Sequence, residues 1–379
     1  MIKKFTGAFL LAVALSPVWV KAQQIPEQYR EKFSGSFPIR KEQHLELKAY
    51  VDKILEQGIE KSLTAFNPDF FSLEDYKNSL YPYRKNLGEF FGCPPPLAME
   101  GKISKFEKAG EDKYATAYRV WVEVMEGVHT YGIYLVPKKL RGKAPLIIAQ
   151  HGGGGNPEAI VDFDTRVNYH SFGPEAVKRG YIVWAPALTM LSGYGGDPEI
   201  PGVSRELLDR KLKTAGTSII GVEIHKIIES TKALIKNRPE IDADRIGMTG
   251  LSWGGFFTLY TAAVWPTIKV AVPSAYFRDS EATLETTVAD DSKIPPDRFL
   301  FRSTGHFQAI GLICPRPCMV QLGEKDALFD MEGAKKEAKK ASRYYEKLGI
   351  GDRFEFNTHP GGHEFENESI FRFFEKHLK

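Results

Sequence analysis

Three hydrophobic rhythms follow one another along the chain. From Gln23 to about Leu97 the apolar spacing is helical. Leu47, Val51, Ile54, Leu55 and Ile59 fall on one face, and an aromatic-rich stretch from Phe66 to Phe91 ends at Pro94-Pro95-Pro96. This predicts a helical, aromatic extension over residues 23–100 that packs on a main domain, its rings serving as core rather than as a sugar-binding face. From Lys102 to Val136 the period drops to two. Segments 114–124 and 130–136 flank a Glu126-Gly127 turn and predict an antiparallel meander.

After Pro145 short apolar runs alternate with amphipathic stripes. Runs 146–150, 181–185, 245–249, 268–272, 317–322 and 354–356 read as strands, the first apolar on both faces. Ile220, Ile224, Ile227, Thr231 and Leu234 mark a long helix, and residues 253–264 a second. Ala334, Ala338, Ala341, Tyr345 and Leu348 mark a third, and residues 370–378 a closing one. Residues 276–312, which hold Pro295-Pro296, break the alternation and read as an insertion over the cleft. Alternation of this kind implies an α/β main domain over residues 101–379, with a mostly parallel central sheet and helices on both faces.

The run Arg245-Ile246-Gly247-Met248-Thr249-Gly250-Leu251-Ser252-Trp253-Gly254-Gly255-Phe256-Phe257 concentrates the chemistry. A strand enters Gly-x-Ser-x-Gly and a helix leaves it, the pattern of a nucleophile elbow that presents a serine at the tip of a strained turn. Side chains at 250 and 254 would collide there, so both positions are glycine. The helix that follows aims its first N–H groups at the same spot, which suits a developing negative charge.

A serine hydroxyl needs a base, and the base needs an orienting acid. With the elbow first, the order is serine, acid, histidine, each on a loop after a strand. His363, in Pro360-Gly361-Gly362-His363-Glu364-Phe365, is preferred to His359, which directly ends a strand. The His-x-x-x-His spacing does not suggest zinc, because Pro-Gly-Gly between the two histidines cannot be helical. For the acid, strand 317–322 runs into Gly323-Glu324-Lys325-Asp326; Asp326 is first choice, with Glu324 and Asp330 as alternatives. Strand 146–150 empties into His151-Gly152-Gly153-Gly154-Gly155, a source of backbone donors for an oxyanion hole beside the N–H of Trp253. Gly153 is the first candidate and Gly154 the second, with His151 bracing the loop. A phosphate loop fits less well: no Gly-Lys-Ser/Thr follows, and Pro157 stands where a dinucleotide fingerprint needs its third glycine.

Composition changes the picture in two places. Lys3 and Lys4, the apolar run from Phe5 to Val20, and Val20-Lys21-Ala22 have the form of a secretory signal peptide over residues 1–22. That predicts a secreted or periplasmic protein with no membrane anchor after cleavage. Cleavage would also remove three lysines and no acid, bringing the formal charge from +3 to zero, which argues against a nucleic-acid partner. Three cysteines, Cys93, Cys314 and Cys318, imply no disulfide framework.

From about Tyr118 onward the chain resembles the α/β-hydrolase superfamily, and within it the dienelactone-hydrolase-like and acetyl xylan esterase-like branch of secreted bacterial esterases. Residues 242–255 carry most of the likeness. His151-Gly152-Gly153-Gly154-Gly155, Gly323-Glu324-Lys325-Asp326 and Gly361-Gly362-His363-Glu364-Phe365 carry the rest. The resemblance implies an α/β-hydrolase fold, the same Ser252, Asp326 and His363 triad, and ester hydrolysis without cofactor or metal. The substrate it implies is a small-molecule or oligosaccharide ester. Dienelactone hydrolases proper use cysteine as nucleophile; Ser252 stands here, so their substrate does not carry over. A prolyl-oligopeptidase-like peptidase is the alternative, weakened because about a hundred residues before the domain are too few for a β-propeller. A non-catalytic binding protein on the same scaffold is the third reading, at odds with a chain that keeps serine, histidine and acid.

Overall fold

The computed structural model describes residues 27–163, 168–188, 205–280 and 305–379. Residues 1–22, expected as an export signal, lie outside these, as do 281–304 of the expected insertion and the side chains of Leu55 and Ile59. Contacts divide the chain into two units, residues 1–55 and 56–379. In the first, a 3-10 turn (Phe33–Ser36) leads into the long helix α1 (Phe37–Ala65), whose residues from 56 onward fall in the second; Leu47, Val51 and Ile54 along it are exposed.

The second unit holds strands β1 (Ala98–Glu111), β2 (Ala115–Met125), β3 (Val128–Pro137), β4 (Ala144–Gln150), β5 (Ile182–Pro186), β6 (Ile241–Leu251), β7 (Val270–Ser274), β8 (Cys318–Gly323) and β9 (Phe354–His359). Among the described residues they form one sheet in the order β1-β2-β3-β5-β4-β6-β7-β8-β9. The first four in that order pair antiparallel and the rest parallel, from β5 through β9. The carboxyl ends of β4, β6, β7, β8 and β9 therefore share one edge of the sheet. In an open parallel sheet, that edge is where ligands bind.

Alternate residues of the central strands feed two separate cores. Leu146 and Ile148 face one layer and Ile147 and Ala149 the other, all fully buried. The first layer holds α7 (Ile219–Asn237), α8 (Trp253–Val264), α9 (His306–Ile313) and α10 (Met331–Lys347); the second holds α4 (Pro157–Ile160), α5 (Phe172–Lys178) and α11 (Asn367–Leu378). The short helices α2 (Leu73–Ser79) and α3 (Tyr81–Phe91) join the first layer through Tyr76, Leu80, Leu87 and Phe91. Tyr76 adds a hydrogen bond from its hydroxyl to the carbonyl of Gly311. One further helix, α6 (Arg205–Thr214), precedes α7.

Several elements were not picked out in the sequence, α4, α5 and α6 among them, and two others show why. Strand β1, read only as the unseparated start of the strand-like stretch from Lys102, is an edge strand carrying Lys102, Lys105, Glu107 and Lys108, and that charge blurs its limits while protecting the edge from stray pairing. Helix α9 lies within the region read as an insertion; it is buried at every position and so shows no polar face.

Candidate active site

Strand β6 ends at Leu251 and helix α8 begins at Trp253, leaving Ser252 alone at the turn with φ 59° and ψ −121°. A left-handed backbone at a serine is strained, and here it is over-determined by its surroundings. The Ser252 N–H donates to the carbonyl of Ser274 at 2.9 Å. A Cβ on Gly254 would stand 2.2 Å from the carbonyl oxygen of Gln150, and one on Gly250 2.3 Å from that of Gly254. The turn closes only because both positions lack a side chain. Ser252 itself is half-buried.

The glycine loop after β4 lies against this turn. A Cβ on Gly152 would come 3.1 Å from Cβ of Ser252, and one on Gly153 3.0 Å from Cδ1 of Trp253. Gly154 follows with φ 70°. The N–H of Trp253 belongs to the first turn of α8, whose donors have no partner within the helix. His151 is buried beneath the loop. Its Nε2 accepts the N–H of Leu188 at 2.8 Å, and its Nδ1–H donates to the carbonyl of Gly152 at 2.9 Å. The histidine holds the loop down, and both ring nitrogens are occupied in doing so.

The acid and base loops are stitched to each other. Strands β8 and β9 are neighbours, and beyond their ends Glu324 N–H donates to the carbonyl of His359 and Lys325 N–H to that of Gly361. Asp326, three residues past β8, is buried, and its Oδ2 accepts Nδ1–H of His363 at 2.7 Å. A carboxylate cannot donate, so the proton in this bond is the imidazole's own Nδ1–H, and Nε2 is the ring nitrogen left outside it. The two other acids are occupied elsewhere: Asp330 caps α10 through Glu332 and Gly333 N–H, and Glu324 accepts from the hydroxyl of Thr358. His359 is buried with Nδ1 accepting the N–H of Gly361.

Asp326 and His363 are thus in contact, and Gly152 and Gly153 touch the Ser252 turn. Among the described residues no hydrogen bond joins the Ser252 hydroxyl to His363. Rings in succession span that gap: Trp253 to Tyr276 (centroids 5.8 Å), Tyr276 to Phe329 (5.4 Å), and Phe329 stacked on His363 (6.1 Å, 7° between planes).

Sequence reasoning passed over several residues that hold the site. Gln321 on β8 donates to the carbonyl of Glu366 and accepts its N–H, fixing the far end of the histidine loop; a buried amide inside an apolar strand was its signal. Phe329 and Tyr169 had none, being ordinary aromatic positions. A cavity of about 400 Å³ opens away from this edge, near Gly110, Asp112, Arg119, Val161 and Phe163. Its polar groups serve the protein itself: Arg119 donates to the hydroxyl of Tyr131, and Asp112 accepts the N–H groups of Tyr114 and Ala115.

Burial pushes the free thiols of Cys93 and Cys314 each up to about 12 and that of Cys318 higher still, so all three are inert. No described helix is long and apolar enough to cross a membrane.

No protein-family model matches the chain. It is 27% identical over 258 residues, 65% of this chain and 82% of the other, to YtaP of Bacillus subtilis (strain 168), a protein provisionally named a hydrolase. Among solved structures it resembles one from Bacteroides fragilis NCTC 9343 provisionally named an acetyl xylan esterase, with a TM-score of 0.61 and 16% identity over 81% of each chain. It also resembles a glucuronoyl esterase from Solibacter usitatus, with a TM-score of 0.54 and 15% identity over 81% of this chain and 96% of that one. At such identities the likeness is one of fold: the chain has the α/β-hydrolase fold.

Proposed function

We propose that the chain is an exported serine esterase that deacylates carbohydrate esters through an acyl-enzyme. The observation that supports it most is the hydrogen bond between buried Asp326 and His363, on the sheet edge where Ser252 occupies its strained turn. In this reading the Ser252 oxygen attacks the ester carbonyl while Nε2 of His363 takes its proton. The carbon–alkoxide bond then breaks, and the alcohol leaves with that proton. Water, deprotonated by the same nitrogen, attacks the acyl-enzyme and releases the acid together with free Ser252. Asp326 keeps the imidazole in the Nδ1–H tautomer and stabilises it when charged. The N–H groups of Trp253 and of Gly153 or Gly154 face the oxyanion; loss of one such donor would raise the barrier by roughly 3 kcal/mol.

A carbohydrate ester is favoured as substrate because the solved structures of like fold carry the names acetyl xylan esterase and glucuronoyl esterase. Export rests on the basic, apolar and small-residue order of residues 1–22. The test is labelling by a fluorophosphonate, alongside acetate release from acetylated xylan and a panel of acyl esters. Wild type should label and turn over, and Ser252→Ala should do neither. A folded wild type that never labels would favour a binding protein, and cleavage of proline-containing peptides in preference to esters would favour a peptidase.

A further inference from the structure

Between α4 and α5, residues 168–171 form a strap that touches both halves of the site. His170 and Ser171 stand in succession at φ 48° and 53°, a conformation L residues adopt only when held there. Ser171 Oγ is bonded to the carboxylate of Asp162, itself at φ 65°.

Toward the glycine loop, the strap sends in Tyr169. Its ring is buried, and its hydroxyl accepts the N–H of Gly152 at 3.0 Å. A Cβ on Gly155 would meet that hydroxyl at 2.4 Å, so the loop folds closely around it. A run of four glycines has little conformational preference of its own. Its N–H groups are preorganised for an oxyanion only if something outside the loop anchors it.

Toward the base loop, the strap grips the two residues that follow His363. The carbonyl of Asn168 accepts the N–H of Phe365 at 2.9 Å, and the Tyr169 ring meets that of Phe365 edge-on at 5.7 Å. His170 Nε2–H donates to Glu364 at 2.8 Å, and the other oxygen of Glu364 accepts the N–H of Gly362 at 3.0 Å. The side-chain amide of Asn367 donates to the carbonyl of His170 at 2.7 Å.

We infer that Tyr169 is a positioning residue for the oxyanion loop, and that the strap couples this loop to the loop of His363. The inference rests on the serine-esterase reading and adds to it how the two half-sites are kept in register. If Tyr169 were core packing alone, its hydroxyl would be dispensable.

The experiment is steady-state hydrolysis of p-nitrophenyl acetate by Tyr169→Phe, Glu364→Gln and the double variant, with Ser252→Ala beside them. Tyr169→Phe keeps the ring; kcat should fall roughly ten- to a hundredfold, with KM within about twofold and the midpoint of the pH profile unmoved. Glu364→Gln puts an amide donor opposite either Gly362 N–H or His170 and should also lower kcat. Coupling predicts that the double variant loses less than the product of the two single losses. Wild-type kcat in Tyr169→Phe overturns the inference, and so do single losses that multiply. Should Tyr169→Phe not fold, the half-exposed base end still decides: full turnover in Glu364→Gln would count against the strap. No turnover in Ser252→Ala beside full turnover in Tyr169→Phe removes the inference and spares the serine reading; unchanged turnover in Ser252→Ala removes both.

Discussion

His363 Nδ1–H donates to Oδ2 of Asp326 at 2.7 Å, and Oδ1 of the same carboxylate accepts the N–H of Leu328 at 2.9 Å. The second bond fixes the plane of the carboxylate, so the first fixes the imidazole. Asp326→Asn can offer an amide N–H where the wild type offers only oxygen, turning the ring to the tautomer whose Nε2 is already protonated. The expected result at neutral pH is a fall in kcat of roughly 10⁴, with melting temperature close to wild type. Undiminished turnover would remove Asp326 from the role of orienter.

The turn at Ser252 has no room for one more carbon. In Gly254→Ala the new Cβ would start 2.2 Å from Gln150 O and 2.7 Å from His151 O, both backbone atoms with nowhere to go. We expect a loss of about 3 kcal/mol or more in a denaturant titration, or no soluble protein. A variant as stable as wild type would mean that the elbow is more open than the structure has it.

Arg316 holds the far end of the elbow helix. Its guanidinium donates to Ala262 O and Ile268 O, each at 2.7 Å, and to Leu312 O at 3.2 Å, while Nε donates to Ile313 O at 3.0 Å. A cation at the ends of α8 and α9 satisfies carbonyls the helices leave unpaired and complements their dipoles. Arg316→Met should lower stability by roughly 2–4 kcal/mol, and Arg316→Lys should recover only part of it, since an ammonium lacks the planar fork. Turnover per folded molecule should stay near wild type. A variant without loss in unfolding free energy would refute the structural role.

His306 gives stability a pH dependence with a defined sign. Burial, with the charge of Arg278 adding to it, holds its imidazole down at about 3, from an ordinary value near 6.5. Between those values the unfolded chain binds a proton that the native protein does not. Stability contributed by neutral His306 is therefore complete above about pH 6.5 and drains away as pH falls toward 3, by up to about 1.4 kcal/mol per pH unit. Melting temperatures of wild type and His306→Phe, compared from pH 7 to pH 4, should converge as pH falls. Parallel curves would show that the imidazole is not held neutral.

Much of this molecule could be read locally. Residues 253–264 show the spacing of α8, and Gly250, Ser252 and Gly254 show a turn that only those residue types can make. The stripe of Ile220, Ile224, Ile227, Thr231 and Leu234 is the buried face of α7 at every position. Strand β1 was not set apart and helix α9 escaped because periodicity reports burial on one side. An edge strand coated with lysine and glutamate shows too little burial, and a helix enclosed all round shows too much.

The sequence by itself determined the conformations that depend on residues a few places apart: the elbow, the caps, the helical and extended periods, and the glycines that let a backbone approach. The sequence ranked Asp326 ahead of Glu324 and Asp330, but only the tertiary structure brings a carboxylate to His363, because none can meet it until β8 lies beside β9 and Gly323 pairs with His359. It also decided that Tyr169 anchors the glycine loop while its own neighbours grip the histidine loop nearly two hundred residues away. Contacts of that range follow from strand order and crossovers, which are set by burying two cores against one sheet and are written in no single stretch of chain.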